Sequence, residues 1–193
     1  MDTMGAINAK VRAMSNRRLT DSQQYYDELE RLRLFISDIQ WRRILEFERE
    51  AYQTNPPLDY AKMWSFIKRL PMGQNRLALT YIKGTEIDLH NILRIYRLKR
   101  YYPEAEVYPH LIPVCYRLNK ETLKQMAESP GIAEFIVMVR HSHYFDLSFG
   151  DLEEDIVRVM RRVFSDAVKR YPRSMAVVLR HFFSRRHPNG TVL

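Results

Sequence analysis

Hydrophobic residues recur every three or four positions along almost the whole chain, and sustained alternation of apolar and polar residues is absent. The first spacing is typical of amphipathic helices, whereas alternation is typical of strands. The pattern therefore predicts an all-α protein. The predicted helices are Thr3–Ser15, a second that begins after Thr20, Ile39–Gln53, Leu58–Leu70, Asn75–Ile82, Thr85–Tyr102, Lys120–Glu128, Ile132–Arg140, a long one that begins near Asp151, and Arg173–Arg185.

Capping residues and helix breakers set these boundaries. Thr20, with Gln23 three residues later, fits a capping box, and Asn119 is a favourable N-cap for the helix that follows it. Consecutive prolines at 56–57 forbid continuation of the third helix. Gly84 is expected to separate two helices, and Pro172 is expected to start the last one.

The segment Thr85–Tyr102 is the most informative helix, because apolar residues cover most of its circumference. Its one polar arc contains His90, Arg94 and Arg97, which predicts a central helix that is contacted from several sides. Asp88 and Asn91 fall inside the apolar arc, where an unpaired polar group would cost a few kcal/mol. We therefore expect both side chains to bond neighbouring backbone or side-chain groups and to be structural. The apolar arc comprises Ile87, Leu89, Ile92, Leu93, Ile95, Tyr96, Leu98, Tyr101 and Tyr102.

The domain organisation expected for the 193 residues is a single helical domain over 1–193. It can divide into two lobes, about 1–102 and 103–186, because three prolines make the region after Tyr102 irregular. Residues 187–193 are expected to form a frayed tail.

Composition narrows the function classes. Lys and Arg number 31 against 23 Asp and Glu, which gives a net charge of +8 and favours acidic partners. The longest apolar run, Phe135–Val139, is far too short to span a bilayer, and the N-terminus lacks the apolar centre of a secretory signal. A cytoplasmic location is expected, with Cys115 as a small buried hydrophobic residue.

The sequence offers no catalytic signature. A Gly-Lys-Ser/Thr phosphate loop and a Gly-x-Ser-x-Gly elbow are both missing. His141 and His143 invite a metal interpretation, but no third ligand converges on them in the sequence. The acidic run Glu153–Asp155 fits the first turn of a helix better than a general acid–base pair. We predict no catalytic, cofactor-binding or metal-binding residues, and a helical scaffold or adaptor rather than an enzyme.

Several stretches resemble a known family. Ala6–Met14 followed by Leu19-Thr20, the helix Ile87–Lys99, and the region from Ile112-Pro113 to Leu118 are similar to the C/d-type subunit of V-type ATPases. The resemblance implies an all-helical, funnel-like protein of three related lobes that transmits torque without catalysing a reaction. Its expected partners are the central-stalk and rotor-ring subunits, and its expected place is peripheral, at the inner face of the membrane. No cofactor is implied.

The chain also departs from that family. It is shorter than typical members, it has one clear Asp-x-x-Asn helix where repeated ones are expected, and Phe183–Arg186 lacks the usual closing motif. We therefore expect helical lobes truncated relative to the three-lobed funnel, as in a divergent or degenerate paralogue.

The motif positions carry the site predictions. Asp88, Asn91, Arg97 and Lys99 match the family helix and are predicted to hold the lobe together, while Arg94 and Arg97 are predicted to face an acidic partner surface. A basic helical nucleic-acid-binding protein is the alternative, given the positive charge and twelve tyrosines. No helix-turn-helix supports this alternative, and nucleic acid is not an expected partner.

Overall fold

The structure, a computed structural model, describes residues 39–52 and 59–187 together with the single positions 9 and 27. All regular structure within these residues is helical, which confirms the predicted all-α class. The helices predicted at Thr3–Ser15 and after Thr20 lie outside the described residues. The helices are α1 (Ile39–Tyr52), α2 (Tyr60–Arg69), α3 (Gln74–Tyr101), the 3₁₀ helix η1 (Tyr108–His110), α4 (Lys120–Glu128), α5 (Ile132–Arg140), α6 (Leu152–Arg170) and α7 (Ala176–Arg186).

The chain divides into two compact units, and the boundaries fall inside α3 and α6. Within the described residues, the first unit comprises 39–52, 59–80 and 164–187, and the second comprises 81–163. The lobe boundary expected near residue 102 therefore lies within the second unit.

The first unit packs apolar faces of α1, α2 and α7 with the adjoining ends of α3 and α6. Asp59 caps α2 by accepting a hydrogen bond from the Lys62 amide at 2.9 Å. The side chain of Asn75 accepts a hydrogen bond from the Met175 amide at 3.0 Å and so satisfies a donor at the start of α7. The core of the first unit includes Ile44, Leu45, Phe47, Met63, Ile67, Leu79, Phe164, Val178 and Phe182.

The second unit is built on the C-terminal three quarters of α3. Asn119 caps α4 as predicted, because its side chain accepts a hydrogen bond from the Thr122 amide at 2.8 Å. The segment 110–118, which we call the strap, starts at the last residue of η1 and is otherwise irregular, without helix or strand. The core includes Ile87, Ile92, Ile95, Leu118, Met126, Phe135, Val139 and Val157.

One helix replaces the two expected around Gly84. The glycine is buried in the middle of α3, and a Cβ built there would lie 2.4 Å from Cγ of Tyr116. The Thr85 hydroxyl donates to the Tyr81 carbonyl, and Lys83 pairs with Glu86 at 2.8 Å across the same turn. The prediction of a break was wrong, because Gly84 provides space for an aromatic ring rather than a helix end.

Three smaller expectations also fail. Cys115 is exposed rather than buried, because the strap has no helical period to turn its side chain inward. Tyr101 and Tyr102, placed in the apolar arc, are 64% and 65% exposed at the end of α3. The last helix begins at Ala176 rather than at Arg173, because residues before it form a turn in which the Ser174 amide and hydroxyl donate to the Tyr171 carbonyl.

Of the tail expected at 187–193, only the first residue belongs to the described part of the chain. His187 is buried at 9% exposure, whereas residues 188–193 lie outside the described part of the chain. None of the described helices has both the length and the apolar run that crossing a bilayer requires.

Candidate functional site

The candidate site comprises the matched motif residues of α3 together with the strap that Asp88 and Asn91 contact. The strap contacts α3 at several points along the helix: Gly84 lies against Tyr116, Asn91 bonds Ile112, and Arg94 bonds His110. The strap lacks a backbone ladder, so its amides and carbonyls need other partners once they are buried. The polar side chains of α3 supply them.

Asp88 makes the most contacts with the strap. Its carboxylate accepts hydrogen bonds from the amides of Tyr116, Arg117 and Leu118 at 3.3, 2.8 and 3.1 Å. It also accepts one from the Tyr144 hydroxyl at 2.8 Å. We call these groups the Asp88 anchor. The hydrogen bonds expected for this buried carboxylate are present, and they join α3, the strap and the turn after α5.

Burial controls the ionisation of the Asp88 anchor. Asp88 is fully buried, and burial raises the pKa of its carboxyl, although the hydrogen bonds from Arg117, Tyr144 and the other donors act in the opposite direction. Burial also raises the pKa of Tyr144 far above its ordinary value, and the neighbouring carboxylate adds to this effect. Tyr144 is therefore a neutral hydrogen-bond donor over the physiological pH range.

Asn91 bonds the strap at both ends of its amide. Its Nδ2 donates to the Ile112 carbonyl at 3.1 Å, and its Oδ1 accepts from the Ile112 amide at 2.8 Å. Asparagine is suited to this position because its side chain offers one donor and one acceptor, as the backbone N–H and C=O groups of a neighbouring strand would.

Arg97 and Lys99 bond elements further along the chain. Arg97 forms an ion pair with Glu153 at the start of α6, and Lys99 donates to the Ser129 carbonyl just after α4. Burial lowers the pKa of Lys99, while the negative charge of Glu134 opposes this shift. Together with Asp88 and Asn91, these residues contact four different segments of the second unit.

Arg94 and Arg97, the residues of the predicted partner surface, are exposed but already form contacts within the chain. Arg94 donates to the His110 carbonyl at 3.0 Å, and the Arg97 side chain is 51% exposed while it pairs with Glu153. A guanidinium group has five N–H donors, so neither contact exhausts its capacity. The role of this pair toward a partner stays a prediction.

Sequence reasoning missed a second carboxylate, Asp155. It accepts hydrogen bonds from the Ser148 amide and hydroxyl at 2.6 and 2.7 Å and from the Phe149 amide at 3.2 Å. Phe149 has a positive φ of 62°, which is unusual for a side chain of this size. Its ring packs 5.9 Å from those of Tyr96 and Phe135. We call these contacts the Asp155 cluster.

Burial alone would raise the pKa of Asp155, but the hydrogen bonds from Ser148 and the positive charge of Arg158 outweigh it and lower the pKa. The sequence placed Asp155 in the first turn of a helix, and that is correct. Nothing in its spacing indicated the bonds to Ser148 and Phe149.

The remaining candidate reactive groups are Cys115, His141 and His143. Burial raises the pKa of the Cys115 thiol, and the negative charge of Asp88 adds to this, so the thiol stays protonated despite its exposure. Across residues 39–52 and 59–187, no three His, Cys, Asp or Glu side chains converge to hold a metal. His141 and His143 are therefore not joined by a third ligand within these residues.

Comparison with known proteins adds one finding. The model of the ATP synthase (C/AC39) subunit family matches residues 57–187, about two thirds of the chain. The matched region contains α2 to α7, the strap and both carboxylates described above. No curated protein and no solved structure matches the chain significantly.

Proposed function

The chain belongs to the ATP synthase (C/AC39) subunit family, and we propose that within a V-type ATPase it acts as a rotor adaptor linking the central stalk to the membrane rotor ring. Subunits of this family are non-catalytic parts of the ATPase complex. The observation that carries the proposal is the family match over 57–187. The resemblance of Ile87–Lys99 to the family's recurrent helix supports it at the level of individual residues.

We assign the motif residues to the rigidity that such an adaptor needs. Asp88, Asn91, Arg97 and Lys99 tie the strap, α4 and α6 to one helix. A subunit that transmits torque must pass force between its partners without deforming. Hydrogen bonds from buried side chains to an otherwise unsupported strap contribute to that stiffness.

The proposed partners are central-stalk and rotor-ring subunits, and the proposed location is peripheral, at the inner face of the membrane and held there through these partners. The nucleic-acid alternative receives no support from the comparisons. One of its two motivations, the net charge of +8, fits an acidic protein surface as well.

Affinity purification of the tagged full chain from its native cells tests the proposal, at physiological salt and after nuclease treatment. Mass spectrometry should find central-stalk and rotor-ring subunits in stoichiometric amounts. Recovery of the chain without ATPase subunits would refute the adaptor role.

A charge swap tests the predicted contact of Arg97 with a partner. The single variant Arg97→Glu places a second negative charge beside Glu153. The double variant Arg97→Glu, Glu153→Arg restores the internal ion pair with the charges exchanged. If Arg97 contacts an acidic partner, the swap restores thermal stability but not co-purification. Full recovery of both would show that the pair has only an internal role.

A further inference from the structure

A second basic surface lies at the C-terminal end of α5, and it includes Arg117 and Leu118 of the Asp88 anchor. An open cavity of about 350 Å³ is lined by the basic side chains of Arg117, His141 and His143. The rest of its lining is apolar, from Leu118 and Met138, or hydroxylic. No carboxylate contributes to this lining. The cavity thus combines positive or proton-donating groups with an apolar wall.

These basic groups are not neutralised by acidic partners in the described part of the chain. The Arg117 guanidinium lies 5.5 and 5.6 Å from the ring centres of Tyr81 and Tyr116, so it rests on aromatic faces rather than on a carboxylate. Within residues 39–52 and 59–187, no hydrogen bond or ion pair is formed by the side chain of His143. One ring nitrogen of His141 is bonded to the Val137 carbonyl at 2.8 Å, which leaves the other for a ligand.

Exposed apolar residues lie close in the sequence to the two lining histidines. Val137, one turn before His141, is 51% exposed, and Phe145, two residues after His143, is 69% exposed. Large apolar side chains exposed beside unpaired basic groups are typical of a protein-binding surface.

We propose that this surface binds an acidic segment of a partner protein, with one carboxylate in the cavity and an apolar side chain against Val137 and Phe145. Arg117 and His143 are the groups that recognise the carboxylate, because a planar guanidinium and an imidazole N–H both suit its two oxygens. The inference rests on the proposed function only in supposing that the ligand is a protein. A membrane surface fits less well, since anionic lipids select clusters of four to eight Lys or Arg rather than a cavity for one group.

Binding of peptides to the isolated full chain tests the inference. The probe is a fluorescent octapeptide of alternating glutamate and leucine, and its control replaces each glutamate by glutamine. The glutamate peptide should bind, the glutamine peptide should not, and Arg117→Gln or His143→Ala should weaken binding about tenfold each. Arg180→Gln is the matched control, because Arg180 is an exposed arginine of the first unit.

Other outcomes would overturn the inference. These are no binding of the glutamate peptide, equal binding of the two peptides, or affinity unchanged by both Arg117→Gln and His143→Ala. Binding to phosphatidylserine vesicles without binding to the peptide would assign the surface to a membrane instead. His143→Ala removes an exposed side chain with no internal hydrogen bond, so it serves even if the Arg117 variant folds poorly.

The peptide result is separable from the proposed function. If the chain co-purifies with ATPase subunits but does not bind the peptide, the adaptor role is supported and the proposed binding surface is refuted. If it binds the peptide but recovers no ATPase subunits, the surface stands without the adaptor role.

Discussion

The Asp88 anchor and the Asp155 cluster both use a buried carboxylate to bind backbone amides of an irregular segment, yet their surroundings differ. Asp88 accepts from three amides and a tyrosine hydroxyl, and no cation pairs with it among the described residues. Asp155 accepts from two amides and a serine hydroxyl and also pairs with Arg158, whose side chain is 55% exposed.

The two pKa shifts reflect this difference. Burial raises the pKa of Asp88 despite its four donors, whereas donors and the Arg158 charge together lower the pKa of Asp155. Hydrogen bonds alone hold the deeper carboxylate, so its replacement leaves several buried amides without a partner. The Asp155 carboxylate is buried as well, but the exposed Arg158 cation contributes to holding it. We therefore expect the Asp88 anchor to matter more for stability.

The largest effect is expected from Asp88→Asn. The new amide keeps one oxygen for the four donors and turns an NH₂ group toward the others, so unfolding free energy should fall by about 3 kcal/mol. Urea denaturation followed by circular dichroism measures this loss. Tyr144→Phe is the graded control, since it removes one donor and should cost about 1 kcal/mol. A loss below that of the tyrosine variant would contradict the role given to the anchor.

Gly84→Ala is expected to have the next largest effect. The added Cβ would overlap the Tyr116 ring, and overpacking of this kind costs about 1–3 kcal/mol. Gly73→Ala, where nothing lies within 4 Å, should change stability by less than about 0.5 kcal/mol.

The effect of the clash can be isolated by making Gly84→Ala both in the wild-type chain and in a Tyr116→Ala variant. Once the ring is gone, Gly84→Ala should raise stability by up to about 1 kcal/mol, because alanine favours a helix over glycine. Destabilisation of equal size in both backgrounds would show that Tyr116 is not the reason for the glycine.

Asp155→Asn is expected to have the smallest effect at neutral pH, about 1–2 kcal/mol. A carboxyl whose pKa is lowered by folding stabilises the protein above its unfolded pKa, and this stabilisation is lost as pH falls through the folded pKa. The difference between wild type and variant should therefore shrink below the ordinary value of 3.8. Thermal melts from pH 7 to pH 2 measure it.

Asp166→Asn removes the same charge from the same helix and serves as the matched control. Its difference from wild type should stay small at every pH, because no side-chain hydrogen bond of Asp166 joins it to another segment within the described residues. A pH-independent loss in Asp155→Asn would contradict the assignment of its stabilising effect to the ionised form.

Local signals in the sequence predicted much of the fold. Helix periodicity located α1 and α4 to within a residue or so, and Asn119 was recognised as a cap because an N-cap depends only on its neighbours. The helical wheel also showed that Asp88 and Asn91 would need hydrogen-bond partners.

Contacts between distant residues could not be predicted in this way. Tyr144 lies 56 positions from Asp88, and no spacing rule joins a helix to a turn that far along the chain. The break expected at Gly84 was wrong for the same reason, since the ring that requires a glycine comes from the strap. Cys115 was misplaced because burial in an irregular segment follows from side-chain contacts rather than from a period.

Amide hydrogen exchange of the wild-type chain tests the central claim most directly, namely that α3 side chains hold the strap. The amides of Ile112, Arg117 and Leu118 belong to no helix or strand, and their hydrogen-bond acceptors are the side chains of Asn91 and Asp88. The account predicts protection approaching that of amides in the middle of α3. Exchange of these three amides at the rate of an exposed loop would contradict it.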